Sequence, residues 1–483
     1  MRVLFVYPHR YYNEYPLGLL YLSAVLKEKG HDTRLLSLNS CQASTKDNPQ
    51  TSLERGLQEQ ITCFVPDMIG FSVMTHAIDT CLRLARVAKE RGCFVVFGGP
   101  HPTVAPEEMV AQEMVDAICI GEGEYALLEL VTNLESQKDI TNIQNIWIKN
   151  RTGIHRNSIR CLISDLDSLP FPDREILDLE HLHPKSMEFR GANFFTSRGC
   201  PYKCSFCWNS YLQSLYRGCG PFVRFRRVTE VINEIKGVVK KYNPAKVVFS
   251  DEMFTLKKQR LLAFCEAYAR EVALPFYCQS RANAIDEEIV TALKTANCEL
   301  ISIGIESGND YIRNEVLNRK MSQATIKTAF RLLKQAEIHT GSFNMIGMPF
   351  ESEAMIRQTI KINRELRPDI LHCTVIMPFK GTPIRRIYEE NRWLETEPTD
   401  GYYNQATQRL PNISSSKLLA YQRLFDLFVY TPRWSRFVVE LLLFLWGNVP
   451  LKDKKISFPR RVIRSLAYRL TPLVRKWLLP PQS

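Results

Sequence analysis

Apolar and polar positions along this chain alternate between two periods almost from the first residue. Val3-Leu-Phe-Val-Tyr7 is an unbroken apolar run, the pattern of a strand buried on both faces. Residues 17–29 then repeat at helical spacing and stop at Gly30. Met68-Ile-Gly-Phe-Ser-Val73 predicts the next clear strand, and residues 77–91 a helix that stops at Gly92. Phe94-Val-Val-Phe97 runs into Gly98-Gly99-Pro100-His101-Pro102, and Ala117-Ile-Cys-Ile120 into Gly121-Glu-Gly-Glu124. Strand–helix repetition over residues 1–135 predicts an α/β domain with a parallel, doubly wound sheet. Ligands of such sheets sit beyond the carboxyl ends of the strands, where glycine lets backbone come close.

Residues 136–190 read as a connector with short strands and the stiff crossing Leu169-Pro-Phe-Pro-Asp173. Six further strand–helix units fill residues 191–392. Their strands are Ala192–Thr196, Lys246–Ser250, Phe276–Ser280, Leu300–Ile305, Ser342–Ile346 and Leu371–Ile376. Six units predict a partial (β/α)6 barrel, a cousin of the eight-fold barrel, with active groups at the carboxyl ends of its strands. Each strand leads into polar, glycine or proline residues there: the loop after Thr196, Asp251 and Glu252, Arg281, Glu306 and Ser307, Gly347, and Pro378. From residue 393 to 483 the pattern is helical. Phe437–Trp446 is strongly apolar, but ten residues with one Glu cannot span a bilayer that needs about twenty.

Composition changes this picture in two places. The net charge of +12 is unevenly spread: Leu451–Ser483 holds four Lys and five Arg against one Asp, a net +8. The rest is close to balanced, which argues against a general nucleic-acid surface and for a local basic tail. Two readings of that tail stay open, a helical subdomain capping the substrate and a peripheral contact with an anionic membrane. The 14 cysteines are scattered and follow no secretory signal, since Met1–Tyr7 reads as a strand. A reducing cytoplasm is the expected setting.

Three cysteines are not scattered. Cys200, Cys204 and Cys207 lie within Thr196-Ser-Arg-Gly-Cys-Pro-Tyr-Lys-Cys-Ser-Phe-Cys-Trp208, at C-x3-C-x2-C spacing on a loop carrying Gly and Pro. Thiolates so placed suit a soft metal centre, iron–sulfur or zinc. A zinc ribbon would take Cys219 as its fourth ligand, yet zinc sites favour paired short spacings, and here the fourth sulfur stands alone. Three ligands on a four-iron cluster leave one iron open to something other than protein. Cys278, Cys298 and Cys373, on or beside strands, read as core residues.

The loop resembles the signature of the radical S-adenosylmethionine (SAM) enzymes, with Phe206 as the aromatic before the last cysteine. The resemblance implies a [4Fe-4S] cluster on Cys200, Cys204 and Cys207 and SAM on the open iron. It also implies release of a 5′-deoxyadenosyl radical after an electron arrives from a donor such as flavodoxin or ferredoxin. Asp251 and Glu252 then take the place that offers acceptors to the SAM amino group, and Arg281 that of a partner for its carboxylate or for substrate. For the carboxylates a solvated helix start is the plainer alternative. Glu306 and Ser307 resemble the motif that lines the ribose. Gly347-Met-Pro349 and Gly381-Thr-Pro383 resemble turns near the adenine, with Phe206 beside it.

Pro16-Leu-Gly18, the run from Gly98 and Gly99 to Thr103, and Gly121 with Gly123 resemble the Rossmann-like cobalamin-binding domain that precedes many such barrels. Its D-x-H-x-x-G motif is missing: His9 follows the first strand, but Tyr7 and Tyr12 stand where Asp and Gly belong. Cobalamin without a protein histidine ligand is the implied cofactor. The implied activity is methylation of an unactivated carbon in a small-molecule or lipid-like substrate. A radical cyclase, oxidase or rearrangement enzyme of the same architecture is the alternative. Further off stand a tRNA methylthiotransferase, using cysteines of the N-terminal third, and a zinc-stabilised binding module.

Overall fold

The computed structural model describes residues 1–8, 16–37, 49–177, 191–397 and 405–447. His9, Tyr12, Cys41 and the basic tail lie outside them. The chain divides into two compact units, Met1–Pro201 with Leu212–Asp251, and Tyr202–Tyr211 with the residues from Glu252 onward.

In the first unit, β1 (Arg2–Tyr7), β2 (Asp32–Ser37), β3 (Met68–Ser72), β4 (Phe94–Gly98) and β5 (Ala117–Cys119) pair in parallel in the order β2-β1-β3-β4-β5. The order reverses between β1 and β3, so the crevice beyond their carboxyl ends is the topological switch point. Helix α1 (Leu17–Glu28) follows β1, α2 (Pro49–Phe64) precedes β3, and α3 (Ile78–Glu90) links β3 to β4. Val3, Leu4, Phe5 and Val6 are all buried, as an unbroken apolar run requires of a strand covered on both faces. The parallel, doubly wound sheet expected over residues 1–135 is present, and short strands of the connector add to it. After α4 (Glu124–Glu135), strands β6 (Ile146–Asn150) and β7 (Gly153–His155) extend the sheet antiparallel. Asn150 pairs with Gly153 across a two-residue turn, too short for any parallel crossover.

The same unit holds β8 (Gly191–Phe194) and β9 (Lys246–Phe249), paired in parallel with Phe194 opposite Phe249. A buried Glu234 carboxylate binds Arg174 at 2.8 Å and also Arg226, whose guanidinium donates to the Phe195 carbonyl at 3.2 Å. Paired charges of this kind can be buried because each satisfies the other. They fix the backbone just ahead of the cysteine loop.

In the second unit, β10 (Phe276–Ser280), β11 (Cys298–Glu306), β12 (His339–Ile346) and β13 (Ile370–Val375) are parallel neighbours in chain order. Helices alternate with them, among them α5 (Glu353–Leu366) between β12 and β13. The β11–β12 register slips between Gly304 and Glu306, and Glu306 sits at φ +64°. A non-glycine residue in that region is uncommon and marks a place where surrounding structure over-determines the backbone. Beyond β13, α6 (Ser415–Tyr430) and α7 (Arg436–Gly447) bury Leu418, Tyr421, Phe425, Val439 and Leu443 in one apolar cluster with Ile346 and Ile356. Among the described residues no helix is long and apolar enough to cross a membrane.

Candidate functional site

Each part of the cysteine loop is held by hydrogen bonds within its own unit. In the first unit, Gly199 has φ +87°, and a Cβ there would lie 2.3 Å from the Phe222 carbonyl oxygen, so only glycine fits. Gln213 donates to the Cys200 carbonyl at 2.7 Å. In the second unit, the Cys207 amide donates to the Cys204 carbonyl at 3.1 Å. The Ser205 amide donates to the Leu317 carbonyl at 3.1 Å, and Asn318 to the Lys203 carbonyl at 2.8 Å. Asn209 reaches the Cys207 sulfur at 3.9 Å.

Cys204 is buried, and two guanidiniums point at its sulfur. Arg281, at the end of β10, donates Nη1–H to Sγ at 3.3 Å, and Arg319 approaches it at 3.9 Å. Arg281 Nη2 also donates to the Arg319 carbonyl at 2.5 Å, and its guanidinium lies 3.7 Å over the Tyr202 ring. Among the described residues the one carboxylate against the pair is Glu306, 3.5 Å from Arg319. Burial pushes the Glu306 carboxyl up, whereas burial and the nearby Arg319 charge pull the Arg281 guanidinium down. Arg319 Nε, a buried donor, has no partner among the described residues. Two buried cations, one carboxylate and a donor without a partner among the described residues leave positive charge in excess beside the Cys204 sulfur.

Among the described residues no three His, Cys, Asp or Glu side chains converge as a single metal ion requires. The thiolates of an iron–sulfur cube bind separate irons and need not converge on one point. Cys219, the fourth sulfur of the zinc reading, instead lies against Cys161.

The remaining barrel residues divide by what already occupies them. Asp251 is buried and accepts from the Thr196 amide at 3.1 Å and from Thr196 Oγ1 at 2.9 Å, as well as from the Ser197 hydroxyl. Its carboxylate thus fastens the turn after β8, while Glu252 is exposed. Ser307, fully buried, accepts from the Asn309 amide at 3.2 Å and shapes the turn after β11. Gly347 (φ +82°) donates its amide to Glu351 Oε2 at 2.6 Å. A Cβ on Gly347 would lie 2.7 Å from Gln408 Nε2. Glu351 is fully enclosed; burial raises its carboxyl to about 8, and its Oε1 has no partner among the described residues. Phe206 packs, half-buried, on the apolar cluster of its unit.

In the first unit the glycines end the strands. Gly98 closes β4, and Gly99 (φ +92°) precedes a short helix, with its missing Cβ 3.2 Å from the Val73 amide nitrogen. Gly121 (φ +75°) follows β5, and a Cβ there would land 1.8 Å from the Tyr216 hydroxyl, which accepts from the Glu122 amide at 2.7 Å. Gly123 starts α4 with Cys119 Sγ 3.2 Å from its missing Cβ. Gly18 is different: it lies in the first turn of α1, and a Cβ there would meet nothing within 4 Å. His101 is fully buried beside Thr75, with Nδ1 and Oγ1 3.2 Å apart.

Sequence reading missed Arg319, Tyr216 and the ion pairs that hold the Gly-Glu-Gly-Glu turn. Glu122 binds Arg224 at 2.8 Å and Arg198 at 3.2 Å, and Arg198 binds Glu124 at 2.7 Å. Burial raises the Glu122 carboxyl, but the two guanidiniums outweigh it and hold the group below the usual carboxylate range. Arg198 stands two residues before Cys200, so the turn after β5 and the entry to the cysteine loop share one network.

Comparison with known proteins adds the following. The family model for the B12 binding domain matches residues 5–131, and that of the Radical SAM superfamily matches residues 194–362. An uncharacterised methyltransferase of Pyrococcus horikoshii is 29% identical over 76% of this chain and 77% of its own length. The anaerobic magnesium-protoporphyrin IX monomethyl ester cyclase of Rubrivivax gelatinosus is 27% identical over 81% of this chain and 70% of its own. Among solved structures, the radical SAM methyltransferase TsrM of Kitasatospora setae, with cobalamin and a [4Fe-4S] cluster bound, superposes with a TM-score of 0.66. That match has 16% identity and covers 99% of both chains.

Proposed function

Because this chain belongs to the radical SAM enzymes that carry a B12-binding domain, we propose that it methylates an unactivated carbon of a small-molecule or lipid-like substrate. When bound, cobalamin would supply the methyl group, and the [4Fe-4S] cluster with SAM the radical that activates the carbon. Cys200, Cys204 and Cys207 hold the cluster in this reading. Arg281 and Arg319 balance its negative charge at Cys204, and the unused Arg319 donor leaves room for a further anionic group. The single observation that carries the proposal is this pair of guanidiniums aimed at one sulfur of the motif.

The other site residues act by position. Glu306 and Ser307 shape the strand end that faces the SAM ribose, and Gly347 brings backbone near the adenine with Phe206 beside it. Asp251, which fastens the turn after β8, and the exposed Glu252 next in sequence are the carboxylates that offer acceptors to the SAM ammonium. Gly18, Gly98, Gly99, Gly121 and Gly123 line the cobalamin face, and no protein histidine ligates the cobalt. The electron comes from a flavodoxin- or ferredoxin-like donor in a reducing cytoplasm.

Anaerobic purification followed by iron and cobalt counts and a SAM-cleavage assay tests the proposal. Methyl transfer yields S-adenosylhomocysteine together with 5′-deoxyadenosine, and deoxyadenosine alone would count against it. The cyclase relatives support one second reading, a radical cyclase or oxidase of the same architecture, which that outcome would favour.

A further inference from the structure

Far along the second unit, α5, α6 and α7 enclose a cavity of about 210 Å³ whose charges do not balance. Arg357, Lys361 and Arg364 from α5 and Arg436 from α7 line it, against one carboxylate, Glu440. Glu440 is already spent: Arg357 binds both its oxygens, at 2.6 and 2.9 Å. Arg364 donates Nε–H to the Phe428 carbonyl at 2.5 Å, and Arg436 Nε is a buried donor without a partner among the described residues. Among those residues neither Arg364, Arg436 nor Lys361 has a carboxylate within ion-pair distance. Burial and the Arg436 charge, with a smaller push from Arg357, pull the Arg364 guanidinium down to about 10 although the Glu440 charge opposes them.

On the next faces of α7, Phe437 and Leu441 are 69% and 56% exposed. Their spacing of four puts them on one stripe, with Arg436 and Glu440 along its edge. A cationic recess bordered by exposed aromatic and aliphatic side chains matches an amphiphile, with phosphate in the recess and chains beside the stripe. Guanidinium forks suit phosphate oxygens better than any other common anion except carboxylate. We propose that this recess binds the phosphate of an anionic phospholipid headgroup while Phe437 and Leu441 enter the acyl boundary. The site stands apart from the cysteine loop and does not depend on the reaction assigned above.

The test is sedimentation of the full chain with vesicles of phosphatidylcholine alone or mixed with phosphatidylglycerol. Wild type pellets with the mixed vesicles, and R364Q/R436Q binds them about tenfold more weakly or worse. R364K/R436K keeps most of the binding, and F437S/L441S, changed only at exposed positions, loses it without unfolding. Iron content and optical absorption of each reconstituted variant report folding separately. Equal pelleting of wild type with both lipids, or of wild type and F437S/L441S with the mixed vesicles, overturns the proposal. So does a rise in the melting temperature of wild type with inorganic phosphate alone and no vesicle binding, which would make the ligand a soluble phosphate.

Discussion

The strand ends of the first unit and the strand ends of the second are prepared for ligands in opposite ways. Around β4 and β5 the site is made by leaving side chains out. Gly98, Gly99, Gly121 and Gly123 follow one another at the carboxyl edge, and neighbours such as Tyr216 and Cys119 have closed over the space their Cβ atoms would need. Around β10 and β11 it is made by putting charge in, with Arg281 and Arg319 on Cys204 and Glu306 opposite. In the proposed reading the first arrangement would recognise shape, since bare backbone can lie against a broad rigid group. The second recognises charge, and its buried cations are costly until an anion arrives. A large planar cofactor and a small anionic cluster call for that division.

The largest effect expected is on the charge side. In the proposed reading Cys200, Cys204 and Cys207 each hold the cluster, so replacing any one with Ala should cost the anaerobically reconstituted protein its iron–sulfur absorption and all SAM cleavage. Retained turnover in any one of the three would remove the basis of the charge-built site. On the shape side, G121A forces a methyl group to within 1.8 Å of the Tyr216 hydroxyl at a positive φ. Overpacking and strain there should cost roughly 2–4 kcal/mol and release bound cobalamin. G18A is the matched control: its Cβ meets nothing within 4 Å, and alanine is the better helix former. Stability should hold or rise slightly, so any loss of cobalamin in G18A reports a ligand lying close to that position.

This contrast also explains what could be read from the chain alone. Shape was legible because it is local. Apolar runs marked β1, β3, β4 and the barrel strands to within a few residues, and Gly98, Gly99 and Gly121 stood at or just after the ends of strands. The cysteines were legible for the same reason, three ligands within eight residues. Charge was not, because the groups that meet are far apart in sequence. Arg319 is 115 residues from Cys204, and Arg224 is 102 from Glu122. No spacing rule links such pairs; only the fold brings them together. Asp251 shows the converse: a carboxylate at a strand end looked free, but the Thr196 and Ser197 donors that engage it lie on another strand's turn.

Glu351 sharpens the comparison from inside the charge-built unit, because it is a buried carboxyl with no cation against it among the described residues. Its folded value of about 8 lies above that of an unfolded glutamate. The protonated form is therefore favoured by folding. Its contribution to stability is fully present below about pH 4.5 and is lost as pH rises through 8. E351Q keeps the hydrogen bonds from the Gly347 and Met348 amides and removes the ionisation. Thermal unfolding of the variant should lose the part of the decline between pH 5 and 8 that wild type shows, a difference of up to a few kcal/mol at the upper end. Parallel pH profiles for the two proteins would mean that the Glu351 carboxyl is satisfied in some other way.

The smallest expected effect, and the most specific, concerns the two guanidiniums. Reduction adds an electron to a cluster that already carries net negative charge, and donors to a ligand sulfur stabilise the reduced form. R319Q leaves the nearer Arg281 contact at 3.3 Å and removes only the one at 3.9 Å. The reconstituted variant should keep its full iron content while its midpoint potential becomes more negative by about 59 mV, a tenfold change for one electron. R281Q should shift it further, because it removes the shorter contact and the support that Arg281 gives to the Arg319 carbonyl. R319K should recover part of the shift, since charge returns without the fork. Potentials equal to wild type in both glutamine variants, with clusters intact, would reduce the pair to a structural prop and leave the charge-built site without its charge.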